Sequence, residues 1–310
     1  MFAKLLGTVL LFLIFLPYVI TSMFGNLGSL GAEGSVSLVL HTWEKELAGS
    51  GIYVENHTVA GREQIPLETY LIDKLARTIN TEYHLETLKA QAVLLRTALI
   101  RELWEEGMGI YISDSDYGRG NLNENIVHAV VTTRGVILEY DGKPAKVAYF
   151  AVSNGRTRDG STSFEGLPYF SAVDCNRDFL AENFTSQKVM NKNDFVASVE
   201  NATGVSFNSD INIDDLTIIR DKSGHILDIV FPASGEPVTL SGEECRFIWG
   251  LASSSFSIDE TRNRIVFSVR GVGHGFGLSQ FAANEMAKSD KDFISILEYF
   301  FSGLMLTKFE

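Results

Sequence analysis

The pattern of apolar and polar positions separates an uncharged N-terminal segment from a longer series of short elements. No charged residue lies between Lys4 and Glu33, and residues 5–24 are mostly apolar. About 20 such residues can cross the ~30 Å hydrocarbon core of a bilayer as one helix, so a single transmembrane helix is predicted. A cleaved signal peptide is the alternative, although its apolar region normally runs only about 7–15 residues. Because Lys4 precedes the segment and no cation directly follows it, the N-terminus is expected in the cytoplasm and the remaining chain outside.

Helical periodicity is clearest in residues 67–106. Pro66 suits the first turn of a helix predicted over residues 67–80. A second helix is predicted over residues 85–106, before Gly107, because apolar residues recur there at spacings of four and three: Leu88, Ala92, Leu95, Leu99 and Leu103. This spacing is typical of a helix packed in a core. Shorter helices are predicted over residues 125–132, 194–201 and 242–249.

Strand patterns between these helices indicate a mixed fold. Strands are predicted over residues 36–40, 51–59 and 264–269. One hairpin joins residues 136–140 to 145–152 through Asp141-Gly142, and another joins residues 215–220 to 225–231. No internal repeat or Pro-rich linker is present. The predicted class is therefore α+β, with residues 1–32 as a cytoplasmic tip and membrane anchor and residues 33–310 as one mixed extracytoplasmic domain.

Composition and charge limit the partners and cofactors. The 310-residue chain has a net charge of −13 and contains no run rich in Lys and Arg, which excludes nucleic acid as an expected partner. Cys175 and Cys245 are the two cysteines and lack CxxC spacing. They could form one disulfide at most, and neither a metal cluster nor a redox motif is indicated.

Two segments carry candidate chemistry. Lys89 and Arg96 are seven residues apart and so share one edge of the second helix; they could face a site, or form a solvated charged edge.

Residues 271–280 place glycine at every second position around His274, after a strand and before a helix that Ser279 could cap. Phe276 breaks the dinucleotide-binding pattern, and no Lys-Ser/Thr follows for a phosphate loop. His274 is either a ligand contact or a structural histidine, and the other histidines form no HxxxH or HExxH pair.

Several separated blocks give the chain a resemblance to the stage II sporulation protein D family (SpoIID), which includes the amidase-enhancer protein LytB. The blocks are PLETYL at residues 66–71, LETLKAQAV at 85–93 with Arg96-Thr97, YFAVSNGRTR at 149–158, LPYFSAVD at 167–174, residues 246–256 and the His274 loop. The resemblance covers roughly residues 36–306. It implies a cell-wall protein similar to lytic transglycosylases, which cleave peptidoglycan glycan strands, acting in engulfment during sporulation.

The resemblance also implies a glutamate that protonates the glycosidic oxygen and then deprotonates a muramic acid hydroxyl. The family places this residue eleven positions before the lysine of LKAQ, which is Thr78 here. An aliphatic hydroxyl is too weak an acid for that step, and a positioned general acid contributes about 10²–10⁴-fold to the rate. Glu82, four residues on, and Glu68, ten residues earlier, are the nearest substitutes in sequence, and neither occupies the family position.

Other site residues follow from the same resemblance. Where the family usually has a histidine before its Ser/Asn-Gly turn, this chain reads Phe150-Ala-Val-Ser, so no bound zinc and no cofactor are expected. Matching positions predict a glycan-binding set: Lys89, Gln91, Arg96, Ser153, Asn154, His274, Ser279 and Gln280. Two functions stay open. One is a strand-cleaving enzyme with a displaced acid; the other is a catalytically silent protein that binds glycan strands or activates a partner hydrolase or engulfment complex.

Overall fold

A computed structural model gives the fold of residues 52–58, 61–106, 110–112, 117–160, 167–207, 211–233 and 235–309. Its helices are α1 (Leu67–Thr78), α2 (Leu85–Glu106), α3 (Glu124–Thr132), α4 (Lys192–Thr203), α5 (Gly242–Ile248), α6 (Gln280–Ala287) and α7 (Phe293–Phe300). Its strands are β1 (Tyr53–Thr58), β2 (Gly61–Pro66), β3 (Ile110–Ile112), β4 (Val136–Tyr140), β5 (Lys143–Pro144), β6 (Tyr149–Phe150), β7 (Thr185–Asn191), β8 (Thr217–Arg220), β9 (Ile226–Phe231), β10 (Val238–Ser241), β11 (Phe256–Thr261), β12 (Arg264–Arg270), β13 (Leu278–Ser279) and β14 (Met305–Lys308). The predicted α+β class is confirmed.

The strands form small sheets rather than one large sheet. Their orders in the described part are β2-β1-β3, β14-β4-β5, β13-β6, β11-β12-β7 and β10-β9-β8. Strands β1 and β3, and likewise β6 and β13, run in parallel, whereas the other pairs are antiparallel. The parallel pairs join segments that are distant in sequence, so they determine which loops lie together.

The two long helices agree closely with their prediction. Helix α1 begins directly after Pro66 but ends at Thr78, two residues early, because Ile79 adopts an extended backbone (φ −139°, ψ 158°). Helix α2 has the predicted bounds. It is buried on two sides instead of along one stripe: Leu88 and Ala92 face one core cluster, while Ala90 and Val93 face another.

The hairpin predictions hold in part. Asp141 and Gly142 have φ values of 52° and 72°, as a type I′ turn requires, and they join β4 to β5. The second strand predicted over residues 145–152 is wrong, because β5 ends at Pro144 and β6 pairs with β13 instead. Local pattern could not show that parallel pairing. The β8–β9 hairpin and strand β12 lie close to the positions predicted.

In the described ranges, three clusters of buried side chains form the core. The first lies among α1, one side of α2 and α3; the third lies between the other side of α2 and the helices α6 and α7. The second cluster is aromatic and separate, with Phe195, Trp249 and Phe267 at its centre. Cys175 and Cys245 are buried in different clusters and are both free thiols. Burial raises the pKa of each thiol to about 12, so neither is a ready nucleophile.

Among the described residues, no helix is both long enough and apolar enough to cross a membrane. The predicted transmembrane segment, residues 5–24, lies outside those ranges, as does the predicted strand over residues 36–40.

Candidate functional site

The predicted acid position lies in a small cluster of hydroxyl and amide groups at the end of α1. The Thr78 hydroxyl donates to the Lys74 carbonyl at 2.9 Å, as helical threonines commonly do, and it is also hydrogen-bonded to the side chain of Tyr149 on β6. Gln280 Nε2 donates to the Thr78 carbonyl at 2.9 Å and to Gln91 Oε1 at 3.3 Å. We call Thr78, Gln91, Tyr149 and Gln280 the Thr78 cluster. Its polar groups are hydroxyls and amides, not carboxylates.

Tyr149 was not singled out by the sequence, although it opens the YFAVSNGRTR block. Burial raises the pKa of its phenol above the usual 10.0, and the hydrogen bond with Thr78 acts in the opposite direction. The group therefore stays protonated at neutral pH and is a weak acid. It can hold Thr78 in place but cannot supply the proton that a carboxylic acid would donate.

His274 belongs to the same neighbourhood through Tyr149. Its Nδ1 accepts from the Phe276 N–H at 3.1 Å, and its ring N–H bonds to the Tyr149 backbone. Burial lowers the pKa of the imidazole from 6.5; Arg246 and Arg158 also lower it, while Glu243 and the Tyr149 bond raise it. Both ring nitrogens thus have partners within the protein, and His274 is neutral at pH 7. Its ring edge is only partly buried.

The glycines around His274 are required by packing against the protein itself. Gly271, Gly273, Gly275 and Gly277 all have φ between 77° and 112°. A Cβ on Gly277 would lie 2.1 Å from the Ala148 carbonyl oxygen. The same substitution at Gly273 or Gly275 would bring a Cβ to 2.6 Å from the Phe150 Cβ or 2.8 Å from His225 Nε2. Close approach of β6 and its neighbours therefore accounts for the glycine pattern.

Arg96 is a core residue, which contradicts its predicted contact with a glycan. Its side chain is 1% exposed and makes a bidentate ion pair with Glu68 at 2.8 and 2.7 Å. It also donates to carbonyls at Val130 and Val136 and to the Thr133 hydroxyl. The pair ties α1 and α2 to α3 and β4, and it removes Glu68 from consideration as an acid. Lys89 and Arg96 therefore form neither a pair of cations that face a site nor a solvated charged edge, the two arrangements expected from their spacing.

Ser153 and Ser279 are also structural and are fully buried. Asp178 Oδ2 accepts from the Ser153 backbone N–H and from the Ser279 hydroxyl, both at 2.7 Å. Burial raises the pKa of Asp178, while the hydrogen bonds from Ser153 and Ser279 lower it. Ser279 caps α6 as predicted by accepting from the Ala282 N–H. These contacts contradict direct glycan binding by either serine, and no local signal in the sequence pointed to Asp178.

The remaining predicted residues are dispersed. Gln91 and Gln280 are buried and act within the Thr78 cluster, which also contradicts direct exposure to a strand. Lys89 is 17% exposed and pairs with Glu86 at 2.7 Å. Asn154 donates to the Ser223 carbonyl at 2.7 Å and to Ser255 Oγ at 2.9 Å. Glu82 is exposed in the turn after α1, where its backbone N–H bonds to Asn80 Oδ1.

Metal-binding groups of three or more His, Cys, Asp or Glu side chains are not found among the described residues. Position 151, where the family resemblance implies a histidine, is Ala151, between β6 and the buried Ser153. The expectation that no zinc is bound stays a prediction.

His225, beneath the His274 loop, gives a pH prediction. Burial, followed by Arg158, lowers its pKa from 6.5 to about 4, against the opposite effects of Asp221 and Glu243, while His274 lowers it further. As pH falls from 6.5 toward 4, the unfolded chain binds a proton that the folded chain does not. We expect stability to be complete above pH 6.5 and to fall by about 3 kcal/mol or less across this window on account of His225.

Urea denaturation at pH 7 and pH 4.5 measures this effect. His225→Gln should show a smaller loss of stability on acidification than the parent, whereas a control His128→Gln, at an exposed position, should follow the parent. Equal acid sensitivity of the parent and His225→Gln would contradict the assignment.

Comparison with known proteins supports the family resemblance that the sequence blocks indicate. A family model described as SpoIID, Stage II sporulation protein, matches residues 55–140. The chain is 28% identical to Stage II sporulation protein D of Bacillus subtilis (strain 168), over 79% of this chain and 76% of that protein. It is 27% identical to the protein of the same name from Bacillus amyloliquefaciens, over 82% and 76%. In these segments the chain is similar to the SpoIID/LytB family.

The LytB side of this SpoIID/LytB family is represented as well. The chain is 23% identical to the Amidase enhancer of Bacillus subtilis (strain 168), over 73% of this chain but 39% of that longer protein. The matched SpoIID region contains α1, α2 and α3 with the Arg96–Glu68 pair. In that region, the Arg96 and Glu68 positions of the family blocks therefore stabilise the helices that surround the Thr78 cluster.

Proposed function

We propose that this SpoIID/LytB-like protein has a sporulation-related role at the bacterial cell wall, in which it binds peptidoglycan glycan strands without cleaving them. The observation that carries the proposal is Thr78. Its hydroxyl stands where the family resemblance implies a glutamate, and it bonds back to the Lys74 carbonyl. An aliphatic hydroxyl is too weak an acid to give up its proton near pH 7, so position 78 provides no donor for the general-acid step.

The other candidates for the acid are weaker. Glu68 is held by Arg96 in the core and is 1% exposed. Tyr149 has a raised pKa. Glu82 is exposed in the turn that follows Thr78. A strand-cleaving enzyme that uses Glu82 is therefore the outcome that the tests must exclude.

Binding can persist where the acid is absent. Lys89, Asn154 and the edge of His274 remain partly accessible. A cation, an amide and an imidazole suit a strand that carries carboxylates and N-acetyl groups. We further propose that residues 5–24 hold the domain on the outer face of the cell membrane, and that a cell-wall hydrolase or engulfment-complex partner performs the cleavage.

Co-sedimentation of the full chain, in detergent, with purified peptide-free glycan strands tests binding. We expect Lys89→Gln to weaken binding about tenfold, because a hydrogen bond to a charged group is lost. Lys288→Gln is the matched control, since Lys288 pairs with Glu285 at the same 2.7 Å and i,i+3 spacing. Failure of the parent protein to sediment with strands would contradict the proposed function.

A further inference from the structure

A polar groove outside the Thr78 cluster lies beside the second, aromatic core cluster. It has a volume of about 940 Å³ and runs between the outward face of the β11-β12-β7 sheet and the β8–β9 turn. Asn154 lines one end of it. Its size is in the range of clefts that bind small ligands.

The floor of the groove is a row of polar side chains across three strands. Ser257, Ser268 and Gln187 are in register on β11, β12 and β7. Gln187 Nε2 donates to Ser268 Oγ at 3.4 Å. The neighbours of Ser268 on β12, Phe267 and Val269, are buried on the core side, as the period of two in a strand requires. At Ser257, Ser268 and Gln187 the outward face therefore offers hydroxyl and amide groups, while the next row along the strands holds Asp259, Val266 and the exposed Val189.

Two arginines line the groove near the start of β11. Arg220 Nη2 donates to the Phe256 carbonyl at 2.7 Å and Nη1 to the Gly224 carbonyl at 3.1 Å. The backbone N–H of Arg270 bonds to the Ser255 carbonyl at 2.8 Å, which brings its exposed side chain to the same region. Both side chains line the groove.

These arginines lack carboxylate partners in the part of the chain that the structure describes. Neither forms an ion pair there, and the described groove lining contains no Asp or Glu. Asp221, next to Arg220, is held instead by Arg158 at 2.8 Å. Burial lowers the pKa of Arg220, against the effect of Asp221. The two guanidinium groups make the groove locally positive in a chain whose net charge is −13, so it attracts an anion at short range.

We propose that this groove binds a carboxylate-bearing oligosaccharide, with Arg220 and Arg270 on its carboxylates and the hydroxyl and amide groups of the floor on its sugar hydroxyls and N-acetyl groups. The proposal rests on the proposed function and adds to it a contact region, separate from the Thr78 cluster, that recognises the carboxylates of a strand. A saccharide fits better than an acidic peptide, because the floor presents side chains of a sheet face, whereas the free backbone groups of this sheet lie at its edges, on β11 and β7. Peptides that join a sheet do so at a free edge.

The test compares binding of the full chain to peptide-free glycan strands and to uncharged N-acetylglucosamine oligomers. The parent should bind the carboxylated strands at least about tenfold more tightly, and added salt should reduce that preference. Arg270→Gln should reduce the preference about tenfold, and the Arg220→Gln/Arg270→Gln double variant should abolish it. Arg264→Gln is the matched control, because Arg264 is exposed on the same outward face of β12 but does not line the groove.

The outcomes separate the groove from the proposed function. If the parent binds strands and the double variant, with a parental circular dichroism spectrum, binds equally well, the groove assignment is wrong while the proposed function stands. If the parent binds no strands, both are wrong. Binding of poly-glutamate, but not strands, that is lost in Arg270→Gln would overturn the saccharide in favour of an acidic peptide.

Discussion

Replacing Arg96 with methionine is expected to lower the free energy of unfolding by about 3–5 kcal/mol, because it leaves a buried carboxylate without its partner. Arg96 makes hydrogen bonds from Nε and both Nη atoms, including the bidentate pair with Glu68. After the substitution, the described hydrogen bond that the Glu68 carboxylate keeps is the one from the Gly135 N–H, at 3.3 Å. Chemical denaturation followed by circular dichroism measures the loss.

Two controls identify the cause. Arg156→Met removes an exposed ion pair with Asp174, whose side chains are 51% and 60% accessible, and should cost under about 1 kcal/mol. The double variant Arg96→Met/Glu68→Leu should recover part of the loss, since no lone charge stays buried. A loss below about 1 kcal/mol for Arg96→Met would show that the residue is not a core ion pair.

Replacing Thr78 with glutamate is expected to raise glycan-strand cleavage by at least about a hundredfold, because a positioned general acid contributes 10²–10⁴-fold. The new carboxyl would stand at the C-terminal end of α1, where the helix dipole disfavours a negative charge and raises a carboxyl pKa. Tyr149, already bonded to position 78, could then hold it. The measurement is the release of 1,6-anhydro-muramic ends from purified strands.

Thr78→Gln is the matched control, because it has nearly the shape of glutamate without an acidic proton. It should bind strands as the parent does and release no anhydro ends. A folded Thr78→Glu variant that binds strands but forms no product would contradict this prediction. It would show that the site lacks other groups needed for cleavage besides the general acid.

Elements with strong local patterns could be predicted from the sequence. The leucine spacing of α2, Pro66 before α1 and the Asp141-Gly142 turn each depend on residues a few positions apart, and the structure contains all three. Ser279 as a helix cap is of the same kind. Local chemistry decides such features, so the sequence is sufficient for them.

Contacts between distant segments could not be predicted in this way. The family resemblance placed Arg96 in a glycan-binding set, and its spacing from Lys89 left a site or a solvated edge open. Neither gave a sign that Glu68, 28 residues earlier, would pair with it. The β6–β13 pairing brings Tyr149 beside the His274 loop, and Asp178 joins Ser153 to Ser279 over 101 residues. Several polar residues of the family motifs, such as Arg96, Ser153 and Ser279, are buried and stabilise the fold.

The central claim is that the protein binds glycan strands without cleaving them, and the most direct measurement is a digest of purified peptide-free strands by the unmodified chain, analysed for 1,6-anhydro-muramic ends. The result expected is a yield at least about a hundredfold below that of the Thr78→Glu variant under the same conditions. Strong product formation by the unmodified chain, abolished by Glu82→Gln, would contradict the claim and show that Glu82 is the acid.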